Sequence, residues 1–241
     1  MPEPGEVFYL PPERGEAPGK GDRPHLLLSL CPAESEVATF AYGSTQSTDA
    51  YRGAEHVLVD PDATAVRGTG LTRPTYVYTS RLVSYARDSI GVSAGRLIDE
   101  MPRVRVSLRR ALGLGTGVTG EPNVPGSVRR GRFVELSADL AEDWDARYGL
   151  VVTAPGYSRS GFQQTIVPLL DEDCETRELD VFIADGRWLV GLGPGYHSAI
   201  LAVPMVSTVY QPEHIRRYLD PVALPGLMLE IEAALIQHFG L

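Results

Sequence analysis

Gly113 to Ser127 reads GLGTGVTGEPNVPGS. Its five glycines and two prolines interrupt both the alternation of a strand and the period of a helix, as an exposed linker does. The stretch divides the 241 residues nearly in half, and each half has the size of an ordinary small domain. The expected organisation is therefore a domain over 1–112, a linker over 113–127 and a second domain over 128–241.

Working outward from the linker, each half shows the same succession of patterns. Before it, short β-rich apolar segments separated by turn residues run Val7 to Leu10, His25 to Cys31, Thr39 to Tyr42, Glu55 to Asp60 and Thr75 to Val83, and a helix-period stretch follows from Asp99 to Leu112. After it come Gly131 to Leu136, Leu150 to Thr153, Thr165 to Leu170, Val181 to Ala184 and Ala199 to Val206, then a helix from Pro225 to Phe239. Each half reads as a small barrel plus one helix, mainly β with α, so the chain reads as an internal duplication. The helices agree at residue level: Met101-Pro102 with Leu108, Ala111 and Leu112 matches Leu224-Pro225 with Ile231, Ala234 and Leu235 at an offset of 123. Proline suits a first helical turn, where its missing N–H is one of the donors left unpaired anyway. Near the same offset, Arg147 in Asp145-Ala146-Arg147-Tyr148 matches Arg23 in Asp22-Arg23-Pro24-His25, each arginine leading into an apolar strand.

Composition bounds the function. With 43% apolar and 22% charged residues and no apolar run near the ~18 residues of a bilayer span, the chain is expected to be soluble. Met1 to Glu6 lacks a basic and then apolar leader, so a cytoplasmic location is expected. Cys31 and Cys174 are the only cysteines, too few for a disulfide framework or a four-cysteine zinc site, and no metal or cofactor is expected. The formal charge of -9 argues against non-specific coating of nucleic acid. It is unevenly spread: residues 1–120 carry 13 basic against 14 acidic side chains, residues 121–241 carry 9 against 17. Lys20 is the one lysine, so the cationic chemistry is that of the planar guanidinium fork, which suits phosphate. Gly191-Leu192-Gly193-Pro194-Gly195 is no dinucleotide fingerprint, and Ser158 and Ser160 sit in no nucleophile elbow.

The first half resembles the MazF/PemK family of toxin endoribonucleases. The residues that carry the resemblance are Gly5-Glu6-Val7-Phe8, Gly15-Glu16, Lys20-Gly21-Asp22-Arg23-Pro24, Ser44-Thr45-Gln46-Ser47 and the strand after Gly70-Leu71. It covers most of residues 4–112, with the second half as a diverged copy. The resemblance implies two SH3-like barrels, each with a C-terminal helix, related by a pseudo-two-fold axis. It implies that one chain holds the pair that the family assembles from two protomers, and therefore a monomer in solution. The implied activity is metal-independent cleavage of single-stranded RNA, restrained by a cognate antitoxin protein, with no membrane involved.

Carried over by motif, the catalytic residues are Arg23 and Thr45, with Glu16 as an auxiliary or positioning carboxylate; Lys20, Ser44, Gln46, Ser47, His25 and Arg147 are candidate RNA contacts. The chemistry is consistent with the residue types. When a ribose 2'-OH attacks the adjacent phosphate, charge builds on the phosphoryl oxygens, and a guanidinium and a hydroxyl aimed at them stabilise it. Tyr42, Tyr51, Tyr76 and Tyr78 are candidate base-stacking or packing residues. In the second half Arg147 is followed by Tyr148 instead of proline, and the turn matching Ser44 to Gln46 reads Leu170-Asp171-Glu172-Asp173. Carboxylates there repel a phosphate, so the second site is expected to be degenerate. The carboxylate cluster Asp171, Glu172, Asp173 and Glu175 is a further candidate, as an internal restraint on the site. The rival reading is a catalytically inactive barrel that binds a protein, either an antitoxin or a topoisomerase, since one scaffold hosts many functions.

Overall fold

The structure is a computed structural model of the chain. It describes residues 2–11, 21–30, 37–45, 56–59, 68–115, 130–154, 163–171, 173–174, 178–183, 198–210, 213–222 and 225–241. Two compact units make up the chain, Met1–Arg110 and Ala111–Leu241.

In the first unit, β1 (Glu6–Leu10), β2 (Arg23–Leu30), β3 (Val37–Ser44), β4 (His56–Val59), β5 (Thr75–Ala86) and β6 (Gly95–Arg96) form one antiparallel sheet in the order β4-β5-β3-β2-β1-β6. Alternating apolar residues put Phe8, Leu10, Leu27, Ala38 and Phe40 into one core cluster. The helix α1 (Met101–Ala111) follows, burying Val104, Ser107, Leu108 and Ala111, a spacing of three and four residues that makes one helical face. Its arginines at 103, 105, 109 and 110 lie on the exposed side. Against β3, β5 jumps register between the Ala41–Leu82 and Tyr42–Tyr78 pairs, leaving Thr79 to Arg81 as a bulge. Thr79 uses that displacement to reach α1, its hydroxyl 2.9 Å from that of Ser107.

The second unit repeats this order. β7 (Arg132–Leu136), β8 (Tyr148–Val151), β9 (Gln163–Asp171), β10 (Val181–Ile183), β11 (Ala199–Leu201) and β13 (Ile215–Val222) run β10-β11-β9-β8-β7-β13, and β12 (Ser207–Tyr210) pairs with β9 beside β11. With β11 and β12 together standing for β5, the path is that of the first sheet, and α3 (Pro225–Phe239) closes the unit as α1 closes the first. Among the described residues both sheets are open paths, with β4 and β6 at the ends of one and β10 and β13 at the ends of the other.

The short strands β6 and β12 were not expected from the sequence, and three further features depart from it. The strand expected over Ala199 to Val206 breaks after Leu201 into a 3-10 turn, Val203–Met205, where Pro204 has no N–H to offer a ladder. This break falls opposite the same part of β9 that the Thr79 bulge faces on β3. The expectation also lacks α2 (Ala138–Trp144), which Ser137 caps by accepting the Leu140 N–H and which ends at Asp145 in the left-handed region, φ 50°. It lacks β13 as well, whose sequence IRRYLDPV is too polar to read as a strand. No helix among the described residues is long and apolar enough to cross a membrane.

Candidate functional site

Arg23 is the first residue of β2 and pairs with Leu10, the last of β1. On the other side of β2, the ladder pairs His25 with Tyr42. Continued two residues in antiparallel register, it brings Arg23 opposite Ser44, the last residue of β3, with exposed Thr45 next along the chain. The two strand ends are held close. A Cβ on Gly43 would lie 2.5 Å from the Pro24 carbonyl oxygen, so glycine is what allows this approach. Arg23 is half-buried, and its Nε is buried with no hydrogen-bond partner among the described residues. Leaving such a donor unmet costs about 1 to 3 kcal/mol. Among those residues Arg23 is also in no ion pair.

His25, expected as an RNA contact, is 0% exposed. Its ring meets Phe40, Tyr42 and Tyr85 edge to face, at centroid distances of 6.4, 5.4 and 5.8 Å. Because a carbonyl oxygen only accepts, Nδ1 carries the proton and donates to the Arg23 carbonyl at 2.9 Å. His25 thus belongs to the packing that fixes the start of β2, and burial removes it from the surface at which RNA would bind. Tyr42 and Tyr78 are buried as well, Tyr42 under the Arg81 guanidinium 3.7 Å from its ring centre, while Tyr76 is half-buried. Glu16, Lys20, Gln46, Ser47 and Tyr51 lie outside the described residues, as do Glu172 and Glu175.

Arg147 holds the matching place in the second unit: the N–H of Leu136, the last residue of β7, donates to its carbonyl at 3.0 Å. Its surroundings differ. Arg147 donates to Glu135 Oε1 through Nη2 at 3.1 Å and stands over the Tyr148 ring. Arg217 donates through Nε to Glu135 Oε2 at 2.6 Å, and Arg216 approaches Oε1 at 3.5 Å. Burial alone would push the Glu135 carboxyl up. The hydrogen bonds from Arg147 and Arg217 and the charges of Arg217 and Arg216 outweigh it, and together they hold the group below the usual carboxylate range. The residue matching Glu135 in the first unit is Tyr9, which precedes Leu10 as Glu135 precedes Leu136; it is partly exposed and donates its hydroxyl to the Gly70 carbonyl.

The degenerate character of the second site was expected from the carboxylates after Leu170. Extended by one residue, the β8–β9 register puts Arg147 opposite Leu170 as Arg23 falls opposite Ser44, and β9 runs on to Asp171. The carboxylate that engages Arg147 is Glu135, which no motif singled out. Alternation in Arg132 to Leu136 marks Glu135 as facing away from Val134 and Leu136, but only the pairing of β13 with β7 puts Arg216 and Arg217 beside it.

No protein-family model and no curated protein matches the sequence. Among solved structures, the chain is similar to a mycobacterial endoribonuclease in complex with its cognate antitoxin, at 21% identity and a TM-score of 0.36, over 47% of this chain and 97% of that one. It is similar to the Mycobacterium tuberculosis toxin MazF-mt6 at 20% identity and a TM-score of 0.34, over 43% and 92% of the respective chains. A further mycobacterial endoribonuclease aligns at 19% identity and a TM-score of 0.35, over 47% and 93%. Each likeness spans about half of this chain and nearly all of its counterpart.

Proposed function

We propose that this protein is a toxin-type endoribonuclease of the MazF/PemK kind, built of two SH3-like modules in one chain and cleaving single-stranded RNA without a metal from a site in its first half. The observation that carries the reading is the contrast between two arginines that lead into the second strand of each unit. Arg147 is engaged by a buried carboxylate, whereas Arg23 has an unmet donor and no acid partner among the described residues, and Thr45, an exposed residue, follows the end of β3. Together with the order of motifs around Arg23, this supports a site in the first half and a second half without one.

In the step proposed, the ribose 2'-oxygen attacks the adjacent phosphorus and loses its proton as the O2'–P bond forms. The P–O5' bond then breaks, and the 5'-oxygen takes up a proton, leaving a 2',3'-cyclic phosphate and a 5'-hydroxyl. Arg23 and Thr45 stabilise the phosphoryl oxygens as charge accumulates. A single such donor is worth about 3 to 4 kcal/mol, or two to three decades in rate. Arginine stays protonated at neutral pH, so Arg23 acts by electrostatics and hydrogen bonding, and Glu16 serves as the auxiliary base or positioning group. Lys20, Ser44, Gln46 and Ser47 line the RNA path. A cognate antitoxin is the expected partner, and the cytoplasm the expected location.

The test is incubation of the full chain with mixed single-stranded RNA in chelator, followed by mapping of the cut ends. Cleavage leaving 2',3'-cyclic phosphate is expected. Arg23→Ala and Thr45→Ala should each abolish it, and Arg147→Ala should leave most of it. An inert wild-type protein that still arrests growth would favour the protein-binding reading instead, to which the acidic second half is suited.

A further inference from the structure

We infer that the second unit carries a phosphate-binding surface for single-stranded nucleic acid, built by Arg147, Arg216 and Arg217 around the buried carboxylate of Glu135. The choice of ligand rests on the RNA reading above, in which Arg147 was already a candidate contact; the site itself is argued from Arg216, Arg217 and their register on β7.

Residues 121–241 have only nine basic side chains among seventeen acidic ones, yet three of the nine meet at one carboxylate. Their convergence depends on a specific irregularity. β13 pairs Ile215 with Leu136 and Arg217 with Glu135, so two residues of β13 advance against one of β7. In a regular strand Arg216 and Arg217 would point to opposite faces; the bulge lets both reach the same carboxylate. Tyr148 lies directly across β7 from Arg217, each paired with Glu135, and its ring supports Arg147.

The arrangement goes beyond what neutralising Glu135 needs. Besides Arg147, both Arg216 and Arg217 converge on this one carboxylate, which two guanidinium groups already more than neutralise. The Glu135 side chain is 4% exposed, while those of Arg147, Arg216 and Arg217 are 59%, 71% and 61% exposed. Arg216 and Arg217 each spend one N–H on Glu135 out of the five a guanidinium has. The buried acid therefore acts as an anchor that orders Arg216 and Arg217 and leaves their outer N–H groups turned to solvent, a preorganised fork for phosphate oxygens. Two residues before Arg216, His214 forms a half-buried edge-to-face pair with Tyr210, at a centroid distance of 6.0 Å. Aromatic surface next to guanidinium groups is what unpaired bases and their backbone require, and it favours a nucleic acid over an acidic protein.

The experiment measures binding of a fluorescent 2'-O-methyl RNA, which lacks the attacking hydroxyl, to the full-length chain by anisotropy across salt concentration. Each arginine–phosphate contact on a single strand contributes about 0.7 to the slope of log affinity against log salt. Arg216→Ala should make the slope shallower by about 0.7, and the Arg216→Ala/Arg217→Ala double variant by about 1.4. Over a fourfold rise in salt, the wild type should then lose about sevenfold more affinity than the double variant. Glu135→Gln removes the negative charge but keeps an acceptor, and should tighten binding. If the double variant does not fold, Arg216→Ala carries the test, since its contact to Glu135 is the longest of the three at 3.5 Å.

Unchanged affinity and slope in a folded Arg216→Ala variant would overturn the inference. So would displacement of the RNA by polyglutamate at equal charge, which would make this a surface for acidic protein. Cleavage of ordinary RNA in chelator is scored separately. Cleavage with no effect of Arg216 removes this inference alone, whereas an Arg216-dependent slope in a wild-type chain that never cleaves removes the nuclease reading alone.

Discussion

His238 sets up a sharp dependence of stability on pH. It sits in the last turn of α3, on the buried stripe that includes Leu227, Met228, Ile231, Leu235 and Phe239, with its ring centre 4.6 Å from that of Phe239. Two effects compete there. A positive charge at a helix C-terminus is favoured by up to about 2 kcal/mol, but burial opposes any charge. Burial wins, and the imidazole is pushed down from its ordinary 6.5 to about 4. Because the folded value is the lower one, the unfolded chain takes up a proton that the folded chain refuses. Stability is therefore fully present above pH 6.5, falls as the pH drops through the window, and levels off below about 4. At about 1.4 kcal/mol per pH unit, the gap comes to about 3 kcal/mol.

The comparison is with His238→Gln, which has nothing to titrate. Trp144 lies in α2 of the second unit and no tryptophan lies in residues 1–110, so tryptophan fluorescence during urea unfolding does not report on the first unit and follows the second through Trp144. Between about pH 7.5 and about pH 4.5, the wild type should lose about 2 to 3 kcal/mol more than the variant. Equal losses would refute the claim that burial keeps this histidine neutral.

Gly43→Ala should depress RNA cleavage without unfolding the first unit, because the added methyl would lie 2.5 Å from the Pro24 carbonyl and must part the strand ends that carry Arg23 and Thr45. Gly91→Ala, with nothing within 4 Å of the new atom, should be neutral in both activity and melting temperature. For Glu135, whose folded value is lowered from 4.5, the ion pairs contribute stability that is fully present above pH 4.5 and is lost as the pH falls through that lowered value. Glu135→Gln should flatten this acid limb in urea titrations, and an unchanged limb would show that the arginines do not stabilise the carboxylate.

How far the sequence could be read depended on the range of the interactions involved. The strands of the first unit were legible because alternation is set by neighbours along the chain, and α3 begins and ends where Pro225 and the last apolar residue of its stripe place it. The same reading carried Ala199 to Val206 as one strand, because an apolar run does not reveal where Pro204 will interrupt pairing. It passed over α2, whose one local signal is a serine three residues before a leucine, and over β13, whose polar residues take a strand conformation only through pairing with β7. His25 read as a candidate contact from its place two residues after Arg23, but its aromatic neighbours on β3 and β5 bury it.

The sequence by itself determined where apolar segments form strands, where the two long helices lie, and that an arginine leads into the second strand of each half, since these follow from periodicity and from residue types at short spacing. Only the tertiary structure decided which of those arginines is engaged by a carboxylate. Glu135 lies in β7, Arg147 immediately before β8, and Arg216 and Arg217 in β13. Their meeting depends on one bulge in the register of β13 against β7, a long-range pairing that no local pattern encodes.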